Sequence, residues 1–175
     1  MPTNIEIKAR VADMALLRAR AEALAGGQGE VIAQEDIFFA CPTGRLKLRV
    51  FADGTGQLIA YERADTPGAK RSDYRIHRTA DPAGLRAVLG DALGETLVVR
   101  KVRRLFLVGQ TRVHLDEVDG LGDFMELEVV MREGQPDAEG RAIAAELMGW
   151  LGVRESDLIH CAYADLLAQQ HAADA

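Results

Sequence analysis

The segment Arg45-Leu46-Lys47-Leu48-Arg49-Val50 switches between charged and apolar at every step. A period of two is the side-chain period of a β-strand. A strand of this composition buries Leu46, Leu48 and Val50 and gathers Arg45, Lys47 and Arg49 on its other face. The same rhythm recurs far away in the chain. Residues 4–11 set Glu6, Lys8 and Arg10 against Ile5, Ile7, Ala9 and Val11, and residues 124–129 set Phe124, Glu126 and Glu128 against Met125, Leu127 and Val129. Lys101 with Arg103, and Arg112 with His114 and Asp116, form further charged faces. For any one strand, a sheet with one wet face is the ordinary explanation. The single-sign row Arg45, Lys47 and Arg49 fits it poorly, because like charges repel unless an anion lies between them.

Turn and cap signals divide the remainder. Strands are expected at 5–11, 32–39, 45–50, 58–63, 73–78, 97–106, 110–118 and 124–131, with turns at Cys41-Pro42-Thr43-Gly44 and Asp53-Gly54-Thr55-Gly56 and a polar loop holding Pro67 and Gly68. Asp13 caps a helix to about residue 24, with Leu16, Leu17, Ala21 and Leu24 as its stripe. Asp81-Pro82 opens a second helix, to about residue 93. Pro136-Asp137 opens a third, striped by Ile143, Leu147, Trp150 and Leu151. Ser156 or Asp157 is expected to cap a last helix carrying Leu158, Tyr163, Leu166 and Leu167. Eight strands joined mostly by short turns, with helices inserted, describe an α+β protein on an antiparallel sheet. With apolar faces against helices, the charged faces would line the inside of a closed or nearly closed barrel.

At 175 residues the chain suits one domain, read as residues 1–170 with a frayed tail over 171–175. A net charge of −6 argues against a general nucleic-acid binder. Cys41 and Cys161 lie far apart with no CxxC spacing, as in a free-thiol protein of a reducing compartment. No leader pattern or membrane-spanning apolar run is visible, so a cytoplasmic protein is expected.

The charged faces suggest a chemistry. Arg forks and Lys point charges bind polyphosphate. Glu126 and Glu128 project the same way about 7 Å apart along a strand, and Glu6 and Asp116 come from other strands. Magnesium and manganese take one or two such carboxylates together with phosphate oxygens and water.

These segments also carry a family resemblance. Residues 4–10, Gln34-Glu35-Asp36-Ile37-Phe38-Phe39, Gly44 to Arg49, Tyr61-Glu62-Arg63, and Val99-Arg100-Lys101-Val102-Arg103 resemble the CYTH superfamily, the triphosphate tunnel metalloenzymes. So do His114-Leu115-Asp116-Glu117-Val118, Leu121 to Glu128, and Tyr163-Ala164-Asp165-Leu166-Leu167. The Gly44-to-Arg49 and Leu121-to-Glu128 segments are most similar to its class IV adenylyl cyclase branch. The resemblance implies an eight-stranded antiparallel closed β-barrel, a triphosphate tunnel, with helices packed outside. It implies Glu6, Glu126 and Glu128, with Asp116 a further candidate, as ligands of magnesium or manganese. Lys8, Lys47, Arg49, Arg63, Lys101 and Arg103 are implied to hold phosphate oxygens, with Arg45 and Arg10 near the tunnel ends. Of these, Glu6, Lys8, Arg63, Lys101, Glu126 and Glu128 form the implied catalytic set, and His114 is read as a lining or structural residue rather than a base.

The implied activity is conversion of ATP to cyclic AMP and pyrophosphate. Alternatives are a triphosphatase acting on tripolyphosphate, thiamine triphosphate or nucleoside triphosphates, and a non-catalytic polyphosphate or nucleotide sensor. The expected partner is the triphosphate itself, with neither nucleic acid nor membrane, and a homodimer is allowed. One departure stands out. The family's Glu-x-Glu-x-Lys opening reads Asn4-x-Glu6-x-Lys8 here, and an amide supplies no negative charge to a second metal ion.

Overall fold

The structure is a computed structural model and describes residues 2–63 and 68–173. Pro67 of the expected polar loop, and residues 174–175 of the expected tail, lie outside the described residues.

The eight alternating segments form β1 (Thr3–Arg10), β2 (Glu30–Phe39), β3 (Arg45–Phe51), β4 (Gly56–Arg63), β5 (Lys70–Thr79), β6 (Glu95–Val108), β7 (Thr111–Val118) and β8 (Gly122–Val130). They close into an antiparallel barrel in the order β1-β5-β4-β3-β2-β6-β7-β8. Two meanders, β2 to β5 and β6 to β8, are joined edge to edge, and β1 fills the gap between β5 and β8. Closure removes the unpaired edges that an open sheet would expose.

The outward apolar faces are covered by helices. α1 (Met14–Ala25) and α3 (Asp137–Leu151) pack on β1, β6, β7 and β8 around Ile5, Ile7, Val113, Met125 and Leu127. α2 (Pro82–Leu93) covers Ile37, Phe39 and Leu48. The capping signals act as the sequence suggests. The Asp13 carboxylate accepts from the Leu16 amide and the Asp81 carboxylate from the Gly84 amide.

Two helix stripes differ from expectation. Leu16 is 48% and Trp150 53% exposed, while Ala144 and Met148 are buried. Helix packing selects positions 144, 147, 148 and 151, a narrower strip than hydrophobicity alone marks.

The last segment corrects the sequence reading further. Ser156 and Asp157 belong to a single 3-10 turn, Glu155–Asp157, not to a helix cap. Leu158 then pairs with Ala9 as an isolated bridge, and the Ile159 amide donates to the Lys8 carbonyl. β1 pairs with β5 only over Thr3 to Glu6, so this extended stretch satisfies backbone that β5 does not reach. The helix proper, α4 (Tyr163–Ala173), starts only after it, with the Asp165 carboxylate accepting from the Ala162 amide. Tyr163, Ala164 and Leu167 pack on Phe38, Val99, Val118 and Phe124 at one end of the barrel. α4 therefore closes that end.

Candidate active site

Alternate residues of every strand point into the barrel, and they line one cavity of about 290 Å³. Its wall holds seven cationic side chains, from Lys8, Lys47, Arg49, Arg63, Lys101, Arg103 and Arg112, against the four carboxylates of Glu6, Asp36, Glu126 and Glu128. A chain of net charge −6 thus turns a positive surplus inward.

Buried carboxylates hold part of that charge in place. Asp36, 2% exposed, accepts from Lys47 at 2.9 Å and from Nε and Nη2 of Arg49 at 2.7 and 2.8 Å. Against the upward push of burial, Arg49 and Lys47 hold its carboxyl well below the usual carboxylate range. Asp116 does the same for Arg103, with two contacts of 2.6 Å, and also accepts from the Tyr163 hydroxyl at 2.9 Å. Lys8 lies over the Tyr163 ring, 3.4 Å from its centroid.

Other cations have less support. Arg63 is held by a long 3.6 Å contact to Glu6, while its Nε and Nη2 are buried without a partner. Burial, followed by the nearness of Lys101 and Arg63, holds the Lys8 ammonium well below the lysine range. Burial and then Arg103 do the same to Lys101. A buried guanidinium with idle donors, beside crowded ammonium groups, suits an anion rich in oxygen acceptors.

The acidic side of the cavity is equally strained. Register sets Glu6 directly opposite Glu128, and Lys8 opposite Glu126, across the β1–β8 pair. Like charges directly opposite destabilise a sheet. Burial, and next the charge of Glu128, raises the Glu6 carboxyl. Burial raises Glu128 as well, but its basic neighbours, His114 first and then Arg103 and Arg112, more than offset this and hold it low.

His114 stands across from Glu126 on β7. Its Nδ1 is buried without a hydrogen-bond partner, 3.7 Å from Glu126 and 3.8 Å from Glu128. Burial, then Arg103, pushes the imidazole down to about 3, so it is neutral and offers a lone pair. One ligand atom from each of His114, Glu126 and Glu128 lies within 4.8 Å of the others. Two carboxylates and an orphaned imidazole nitrogen fit a divalent cation. Glu126 also contacts Lys8 and meets Arg103 at 2.6 Å, whereas Glu128 has only the 3.4 Å contact with Arg112 among its arginine partners.

Of the residues singled out in the sequence, Glu6, Lys8, Lys47, Arg49, Arg63, Lys101, Arg103, Glu126 and Glu128 meet in this cavity. Asp116 does not reach the cavity wall; it is fully buried, with both oxygens taken by Arg103 and Tyr163. Arg45 does not line it either, because its guanidinium makes a two-pronged contact to Asp165 on α4. Arg10 is exposed, against the Phe124 ring. The sequence reading set Arg112 on a charged strand face and Tyr163 in a helix stripe, but counted neither of them, nor Asp36, among the site residues. Asp36 was not separable from Glu35 in the sequence, since both alternating sets of residues 32–39 hold apolar side chains and one carboxylate. The place of Tyr163 depends on where α4 docks, which no local pattern encodes.

Comparison with known proteins agrees with this architecture. The family model described as CYTH domain matches residues 2–163. Among solved structures, the PH1012 protein of Pyrococcus horikoshii superposes with a TM-score of 0.83 at 25% identity, over 93% of this chain and 98% of its own. A conserved hypothetical protein of Pyrococcus furiosus gives 0.82 at 19% identity, over 93% and 99%. A Vibrio parahaemolyticus protein provisionally named an adenylate cyclase gives 0.76 at 21% identity, over 94% and 97%. No curated protein matches significantly.

Proposed function

The chain belongs to the CYTH domain family, and from that premise we propose a divalent-metal-dependent enzyme that converts ATP to cyclic AMP and pyrophosphate inside the barrel. The observation that carries the triphosphate reading is Arg63, a buried guanidinium with two idle donor atoms in a wall where cations outnumber carboxylates. The cyclase assignment is supported by the sequence resemblance and, for the fold alone, by likeness to the Vibrio protein named above.

In this reading Lys8, Lys47, Arg49, Arg63, Lys101 and Arg103 bind phosphate oxygens, while Asp36 and Asp116 keep Arg49 and Arg103 oriented. Glu126, Glu128 and His114 would hold the cation, and Glu6 adds negative charge beside them. A magnesium or manganese ion held there would supply positive charge to the phosphate oxygens. The ribose 3′-oxygen forms the bond to the α-phosphorus, the bond from that phosphorus to the bridging oxygen breaks, and pyrophosphate leaves. The hydroxyl proton passes to solvent or to a phosphate oxygen. Entry with the phosphates first sets the terminal phosphorus against the α4 floor, away from bulk water, and leaves the α-phosphorus nearer the open end. That placement favours attack by the substrate's own hydroxyl over hydrolysis of the terminal group.

Incubation of the protein with ATP and magnesium or manganese should give cyclic AMP and pyrophosphate in equal amounts. Orthophosphate in place of cyclic AMP would assign the tunnel to a triphosphatase, and binding without either product would assign it to a sensor. Glu128→Ala should abolish metal-dependent turnover; full activity in that variant would remove the metal assignment.

A further inference from the structure

Tyr163 is the first residue of α4, is buried, and lies on the cavity wall. Its place there is tightly set. The Asp165 carboxylate accepts from the Ala162 amide and takes the two-pronged contact from Arg45, which ties the first turn of α4 to β3. The Tyr163 ring also packs on Phe124, with centroids 5.0 Å apart and planes inclined at 57°.

Both parts of this side chain meet charged groups. The hydroxyl donates to Asp116 at 2.9 Å, on the same oxygen that Arg103 contacts at 2.6 Å. The ring carries the Lys8 ammonium 3.4 Å from its centroid and that of Lys101 at 5.0 Å. Buried lysines are ordinarily paired with carboxylates. Here the pairing is thin. The contacts of Lys101 with Asp36 and Asp116 are both 3.9 Å, and Lys8 meets Glu126, which Arg103 also engages. An aromatic face attracts a cation through its quadrupole yet has no net charge. A carboxylate in its place would cancel the positive charge that a phosphate needs.

We infer that Tyr163 is a positioning residue of the phosphate site, whose ring seats the ammonium groups of Lys8 and Lys101 without neutralising them and whose hydroxyl steadies Asp116 behind Arg103. This rests on the triphosphate reading above and adds to it a task for α4. Besides closing the barrel, α4 supplies with its first side chain the surface on which two cations from β1 and β6 are held ready. Without the ring, both ammonium groups would be drawn to Glu126, Asp36 and Asp116. Turning them back toward phosphate would then cost affinity.

Titration calorimetry with inorganic tripolyphosphate and magnesium, beside thermal unfolding of the same proteins, tests it. Tyr163→Leu should weaken binding by about tenfold. Tyr163→Phe keeps the ring and loses the hydroxyl, so it should bind within about twofold of the unmodified protein and melt lower, because Asp116 has lost a donor. Leu167 belongs to the same core as Tyr163 but does not line the cavity. Leu167→Ala should therefore melt lower through lost packing and still bind within about twofold. Equal weakening in Tyr163→Leu and Leu167→Ala would reduce Tyr163 to a packing residue. An unchanged affinity in Tyr163→Leu, or a tenfold loss in Tyr163→Phe with its ring in place, overturns the inference, and the latter decides even where Tyr163→Leu does not fold. If the unmodified protein binds no tripolyphosphate, the triphosphate reading itself fails; binding that is indifferent to Tyr163→Leu defeats this inference alone.

Discussion

Lys47 and Arg49 lie two residues apart on one inward strand face, and Asp36 on the neighbouring strand keeps them there without a ligand. Removing one partner of a buried ionic group leaves uncompensated charge, at a cost of about 3–5 kcal/mol. Asp36→Asn should therefore lose stability of that order in urea unfolding, and added tripolyphosphate should restore part of it. The pH dependence has a definite sign. The folded-state pKa of Asp36 lies well below its ordinary 3.8, so the unfolded chain takes up the proton first as pH falls. Its stabilising contribution is complete above 3.8 and disappears as pH drops through the folded value. Asp36→Asn should thus flatten the acid limb of the stability curve, and an unchanged limb would refute the assignment. From sequence, the single-sign row on β3 was read as demanding an external anion. Neighbouring Glu35 and Asp36 gave no sign of which acid faced inward. Register decides it: Asp36 meets Arg49, while Glu35 pairs with Arg86 and Arg100 on the outside.

The strands were the most legible elements, because alternation marks both their existence and the face that turns inward. Their inward charged faces on β1, β3, β6 and β8 are the faces the pattern predicts. The last helix was not legible. Leu158 scores as helical by hydrophobicity, yet it is drawn out to pair with Ala9 where β5 stops short. Helix placement is similarly set by contacts that sequence periodicity ignores. α3 crosses β1 at Gly140, where an added Cβ would lie 2.5 Å from Met131 Sδ and 2.7 Å from Ile5 Cγ1. A glycine inside a helix costs about 1 kcal/mol relative to alanine, so propensity alone favours replacing it. Overpacking against the sheet opposes this and grows with side-chain size. Gly140→Val should consequently destabilise the protein by about 1–3 kcal/mol, measured by thermal or urea unfolding. A gain in stability would show that α3 moves off the barrel at little cost.

Across the whole molecule, charge is distributed against its own overall sign: acidic in total, basic within. Buried cations are screened little by salt, and the cavity carboxylates are fewer than the cations they face, so a bound anion relieves the remaining repulsion. The inward positive surplus is therefore a store of instability, of the kind that functional sites carry at the expense of the fold. Binding should release it. At a free concentration one hundred times its Kd, tripolyphosphate with magnesium stabilises the folded state by about 2.7 kcal/mol. For a chain of this length that corresponds to roughly 5–10 °C in melting temperature. Arg63 separates this effect from ordinary structural support. Its two idle donors and long contact with Glu6 mean that it contributes little to the ligand-free fold. Arg63→Ala should then change the melting temperature without ligand only slightly, because removal of a poorly paired buried charge is offset by support lost to Glu6. The same variant should show a smaller rise on adding tripolyphosphate, since the guanidinium is lost to the phosphate chain. A variant that melts markedly lower without ligand, yet gains the full increment when loaded, would make Arg63 a structural residue and leave the inward charge without its purpose.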